Sequence, residues 1–196
     1  MASGLNGRRL AVFMALFLAG CAETPAQDVQ TQSLTRPATA PLQPPPIGQQ
    51  IVALKTRLFM LVEEQRLRLA AGAKPLALDQ ELDGAAQAHA DAMAIAKTFD
   101  PDSGSNRAIE TLLDDPRFYG FVGENVAAQF YTASVGMDPD KYAQGFLDIW
   151  LGSEQHKSNI TFPAFGKTGI GIAVTGDEVF VAQLFATEMA PTKPQP

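Results

Sequence analysis

At 196 residues the chain is long enough for one domain with a sizeable core plus flanking segments. Its 46% hydrophobic and 18% charged residues are those of a globular protein, and no stretch reaches the ~20 apolar residues that span a bilayer as a helix. A net charge of −6, without a Lys/Arg cluster, excludes nucleic acid as a partner, because phosphate neutralisation supplies most non-specific affinity.

Arg8-Arg9, the apolar run Leu10 to Leu18 and the small residues Ala19-Gly20 have the parts of an export signal over residues 1–20. Leu18-Ala19-Gly20-Cys21 also resembles the bacterial lipobox, which implies that Cys21 becomes the lipid-bearing first residue of the mature protein. Ala22 after that cysteine implies, by the same resemblance, an outer-membrane lipoprotein facing the periplasm where the host has two membranes. Cleavage removes Arg8 and Arg9 and no acid, taking the charge from −6 to −8. Cys21 is the only cysteine, so no intramolecular disulfide holds the core. Residues 21–46, rich in Pro, Gln, Thr and Ala, cannot bury enough apolar surface to fold and read as a tether, reaching ~3.1 Å per residue when extended.

The domain is expected over residues 47–188. Ile51, Leu54, Leu58, Leu61, Val62 and Leu69 form the stripe of an amphipathic helix that stops near Gly72 and Pro75. Residues 74–78 are an extended connector, and Asp79 caps a second helix over 80–97 with Leu82, Ala86, His89, Met93 and Ala96 on one face. On that face His89 reads as a buried or half-buried histidine hydrogen-bonded to backbone. Residues 99–105 are turn-rich, a short helix follows over 107–113, and Asp114-Asp115 reads as a solvated loop. Residues 121–130 fit either a buried strand or a buried helix. Asp138-Pro139 opens a helix with Tyr142, Phe146, Ile149 and Trp150 inward, ended by Gly152. The chain closes as a hairpin, 168–174 and 179–186 around Thr175-Gly176-Asp177, before a Pro-rich tail over 189–196.

The densest site chemistry lies in Gly123-Glu124-Asn125, Trp150 to Ile160 with Ser153, Glu154 and His156, and Gly169-Ile170-Gly171. Together with Ala88-His89-Ala90-Asp91-Ala92-Met93, these stretches resemble, in order, the bacterial SCP-domain branch of the CAP superfamily over about residues 50–186. The resemblance implies an α+β fold, a three-layer α-β-α sandwich with a central antiparallel sheet. It also implies a cleft with two histidines and two glutamates that holds a divalent cation such as zinc in some members. Carried over, the Gly-Glu-Asn acid is Glu124 and the histidine after the tryptophan helix is His156. Where the family has its other histidine, this chain has Phe99-Asp100-Pro101. Asp100 is then a substitute oxygen ligand, and Glu154 a candidate second glutamate.

Two function classes follow. One is an exported binding or interaction module for a lipid or an envelope protein, with an apolar groove between helices. The other is a weak metal-dependent hydrolase, peptidase or esterase, using His156 and Glu124, for which zinc would want three or four ligands. Ser153 with His156 reads either as nucleophile and base or as the end of a helix. Phe118, Tyr119, Phe121, Phe130 and Tyr131 stand near the expected cleft and read more simply as core.

Overall fold

The computed structural model describes residues 43–98 and 119–188, with backbone only at Tyr119. The export signal, Cys21, most of the tether, Asp100 with its loop, the 107–113 helix, Asp114-Asp115, Phe118 and the 189–196 tail lie outside the described residues.

Four helices are described: α1 (Ile47–Leu69), α2 (Gln80–Ala96), α3 (Pro139–Leu151) and α4 (Glu154–Thr161). Side chains start three of them. Asp79 accepts from the backbone N–H groups of Glu81 and Leu82, Asp138 from those of Asp140 and Lys141, and Ser153 from that of His156. Pro139 takes the first helical position of α3, where its missing N–H costs nothing. α4 did not stand out in the sequence, because its eight residues carry a single buried apolar side chain, Ile160.

The strands β1 (Ala77–Leu78), β2 (Tyr119–Phe130), β3 (Phe165–Thr175) and β4 (Glu178–Glu188) form one sheet in the order β1-β3-β4-β2. The three long strands are antiparallel, as expected for the sandwich; β1 adds a two-residue parallel pairing, Ala77 and Leu78 beside Lys167 and Thr168. It enters only as the lead-in to α2, where the Asp79 N–H reaches the Thr168 carbonyl. The 121–130 ambiguity resolves as strand.

Alternation along β4 sorts the core into two layers. Val179, Val181 and Phe185, with Ile170 and Ile172, pack on α1, α3 and α4; Phe180, Ala182, Leu184 and Ala186 pack on α2. The α2 layer is thin for a reason written in β3. A Cβ at Gly169 would stand 2.2 Å from the backbone of Leu82 and Asp83, and one at Gly171 would stand 2.2 Å from that of Ala86. Helix and strand therefore touch backbone to backbone.

Both free edges of the sheet are closed by side chains. Along β3, Asp83 accepts the Ile170 N–H at 2.8 Å, and the Gln87 amide both accepts from Ile172 N–H and donates to its carbonyl at 3.0 Å. Along β2, Asn159 donates to the Glu124 carbonyl at 2.8 Å, the Trp150 indole to that of Val126 at 3.2 Å, and the Tyr142 hydroxyl to that of Phe130 at 3.1 Å. An uncovered edge would template pairing with another chain.

Arg66 ties α1 to the α4–β3 turn. Fully buried, its guanidinium donates to the carbonyls of Lys74, Ile160, Phe162, Pro163 and Phe165, and burial lowers its pKa while the charge of Glu63 offsets part of that. This anchorage fixes the end of α4, the helix that carries His156.

Candidate functional site

The pleat of β2 sends Glu124 toward α2 and Gly123 and Asn125 toward α3 and α4. On the α2 side, Nδ1 of His89 lies 2.5 Å from Oε1 of Glu124. An ionised carboxylate only accepts, so Nδ1 carries the proton. His89 is fully buried, the Glu124 side chain is 18% exposed, and Nε2 of His89 is buried with no partner.

On the other side, Asn125 is fully buried and joins two elements. Its amide donates to the His156 carbonyl at 3.0 Å, and its Oδ1 accepts from Asn159 at 2.9 Å. Gly123 makes room for this lock, since a Cβ there would sit 2.7 Å from Oδ1 of Asn159 and 2.9 Å from the Phe165 ring. Gly-Glu-Asn is thus a three-residue device: space, acid, and amide lock on alternating faces.

His156, on α4, is half-buried, and its Nδ1 is buried without a partner. Burial pushes its pKa below the ordinary imidazole value, and the Glu124 carboxylate pulls it part of the way back. Glu124 therefore acts on both histidines, by hydrogen bond on His89 and through its charge on His156.

The remaining candidates fall elsewhere. The Ser153 hydroxyl caps α4 by accepting the His156 backbone N–H at 3.4 Å, the helix-end role. The Glu154 side chain is 93% exposed, 3.7 Å from Lys157, and stands in solvent rather than beside Glu124. Asp100 lies outside the described residues. Two expectations are corrected. His89 is buried, but its partner is the Glu124 carboxylate and not backbone. Phe121 and Phe130 are 70% and 76% exposed rather than core, because β2 is the outer strand, with a register shift between Tyr119 and Val122, and Phe130 is its last residue. Tyr131 does pack partly against the core.

Sequence reasoning gave His89 a backbone partner and did not see the Asn125–Asn159 lock. The usable signal was a histidine in an otherwise apolar stripe, which needs a polar partner, together with one acid inside a buried run.

Among the described residues the donors do not make up the divalent site that the fold family implies. Among the described residues, no three His, Cys, Asp or Glu side chains gather as a ligand set. Oε1 of Glu124 is already engaged by a proton on His89. A separate groove of about 590 Å³, lined by Ile51, Ala94, Ile95 and Val174 with Gln87 and Asp91, lies between α1 and α2 beyond β3 and is bordered by neither Glu124 nor His156.

The profile of the cysteine-rich secretory protein family, CAP, matches residues 65–186. The chain belongs to this family. Among solved structures it is similar to an extracellular protein containing an SCP domain from Bacillus anthracis, at 26% identity and a TM-score of 0.54 over 76% of this chain and 45% of that one. It is also similar to an outer surface protein of Borrelia burgdorferi, at 17% identity and a TM-score of 0.55 over 76% of this chain and all of that one. A cysteine-rich secretory protein of Staphylococcus aureus matches at 21% identity and a TM-score of 0.50, over 73% of this chain and 41% of that one. The two lower identities speak for the fold alone, and this CAP chain spans less than half of the Bacillus and Staphylococcus proteins. No curated protein sequence matches it. Among the described residues no helix is long and apolar enough to cross a membrane.

Proposed function

We propose that this CAP protein is exported, anchored by a lipid on Cys21, and works in the cell envelope as a binding module for a lipid or a protein partner, with Glu124 and His156 forming a polar cleft. One observation carries the reading of the cleft. The Glu124 carboxylate is held at 2.5 Å by a fully buried imidazole, an arrangement that fixes the acid in place as part of a binding surface. The use of the Ser153 hydroxyl as a helix cap supports the same view. Export agrees with the extracellular and surface character of the Bacillus and Borrelia proteins.

Hydrolysis is the second reading, and one observation favours it: a half-buried imidazole with a lowered pKa, in the field of a carboxylate, has the make-up of a general base and its orienter. Peptidase and ester substrates assayed against the full chain, Glu124→Gln and His156→Ala separate the two. The binding reading predicts no turnover above background in any of the three and lower stability in both variants; metal-restored activity lost in both would overturn it. For the anchor, Cys21→Ala releases the protein from the membrane fraction, and unchanged fractionation would contradict a lipid on that residue.

A further inference from the structure

We infer that His89 takes the place of a cation in this cleft: it is a positioning residue that holds the Glu124 carboxylate from inside the fold and leaves the site independent of divalent metal. The inference rests on the binding reading and deepens it by naming what the cleft does not recruit.

The chemistry is that of a buried charge. Glu124 projects from β2 toward a layer in which Ala85, Ala86 and Met93, one turn of α2 to either side of His89, pack with Val126 and Leu184. A carboxylate against that layer needs a partner, because an isolated ionised group there costs several kcal/mol. Nδ1–H of His89 supplies one at 2.5 Å. That bond engages one carboxylate oxygen and leaves Oε2 as the only oxygen a metal ion could take without sharing Oε1. His89 cannot then complete the site in its present pose, because the proton occupies the ring nitrogen facing Glu124 and Nε2 leaves the opposite side of the ring, buried and unpartnered. His156 remains as one donor beside the acid, and no third gathers among the described residues.

The full chain contains only these two histidines, so imidazole NMR assigns itself by single substitution. In the wild type, we expect one strongly downfield, slowly exchanging ring proton on His89 that vanishes in Glu124→Gln, and neither histidine signal moves on adding one equivalent of Zn²⁺. In urea unfolding, His89→Leu and Glu124→Gln each lower the midpoint, and the double variant falls no further than the worse single, the mark of a coupled pair. His89→Gln, whose amide can still donate to the carboxylate, keeps the Zn²⁺ comparison available where Leu fails to fold. Additive losses, or a shift of either histidine signal at one equivalent of Zn²⁺, would overturn the inference. Hydrolysis of a substrate without metal would overturn the binding reading and leave the His89–Glu124 pair standing, so the two failures are distinguishable.

Discussion

The two edges of the sheet meet the same physical demand with different parts. At β3, two residues one turn apart on a single helix, Asp83 and Gln87, satisfy Ile170 and Ile172, and Asp83 is further paired with Lys55 at 2.9 Å. At β2, three residues from two helices do the work, and one of them, Asn159, also holds Asn125, which in turn holds the carbonyl of His156. Closing β3 therefore ties α2 to the strand and, through Lys55, to α1, whereas closing β2 also holds an imidazole in the field of a carboxylate. A chain can need Gly-Glu-Asn, Trp150 and Asn159 to fold, and only the outward parts of Glu124 and His156 are left over for a ligand.

The largest effect that sharpens this contrast is at Trp150. Trp150→Ala removes a fully buried indole and should cost about 3–5 kcal/mol in urea unfolding. Trp150→Phe, which loses mainly the bond to the Val126 carbonyl, should cost about 1–3 kcal/mol. A Trp150→Phe variant as stable as the wild type would mean that packing alone, and not edge closure, fixes the tryptophan.

Next is Gly171→Ala, whose methyl group meets the backbone of Ala86. Overpacking of this kind should cost about 1–3 kcal/mol and loosen α2 from β3, seen as faster amide exchange at Ile170 and Ile172. Smaller, and more discriminating, is the pair Gln87→Leu and Asn159→Leu. Each strands backbone groups at one edge and should cost about 1–2 kcal/mol. Only Asn159→Leu should shift the His156 imidazole signal; an equal shift from Gln87→Leu would show that the edges are not independent.

The smallest effect is in pH. Because burial lowers the folded pKa of His156, the unfolded chain takes up the proton first as pH falls. The contribution is therefore in place above the ordinary imidazole value near 6.5 and is lost as pH drops through the lower folded one. His156→Gln should flatten that part of the stability profile. Glu124→Gln should lower the NMR titration midpoint of His156 further, since it removes the charge that opposes burial.

Much of the fold was legible because its signals are local. The stripe of α1, the Asp79 and Asp138-Pro139 helix starts and the Gly176-Asp177 turn each declare themselves within a few residues. The candidate site was legible only in part. Glu124 and His156 came through the family resemblance, but His89 is 35 residues from its partner, and no periodicity within α2 says what faces it across the sheet. Glu154 misled for the opposite reason: its place in the chain beside His156 is a place on the solvent side of a helix start. Two-residue β1 and eight-residue α4 are held by long-range contacts, Thr168 for one and Arg66 for the other, and neither carries a pattern of its own.

Native mass spectrometry of the untagged full chain, exported and purified without chelator, tests most directly whether this cleft binds without recruiting a metal. We expect no stoichiometric divalent ion in the wild type or in His156→Ala. A single divalent ion bound by the wild type and lost in His156→Ala would contradict the account and return the site to metal chemistry.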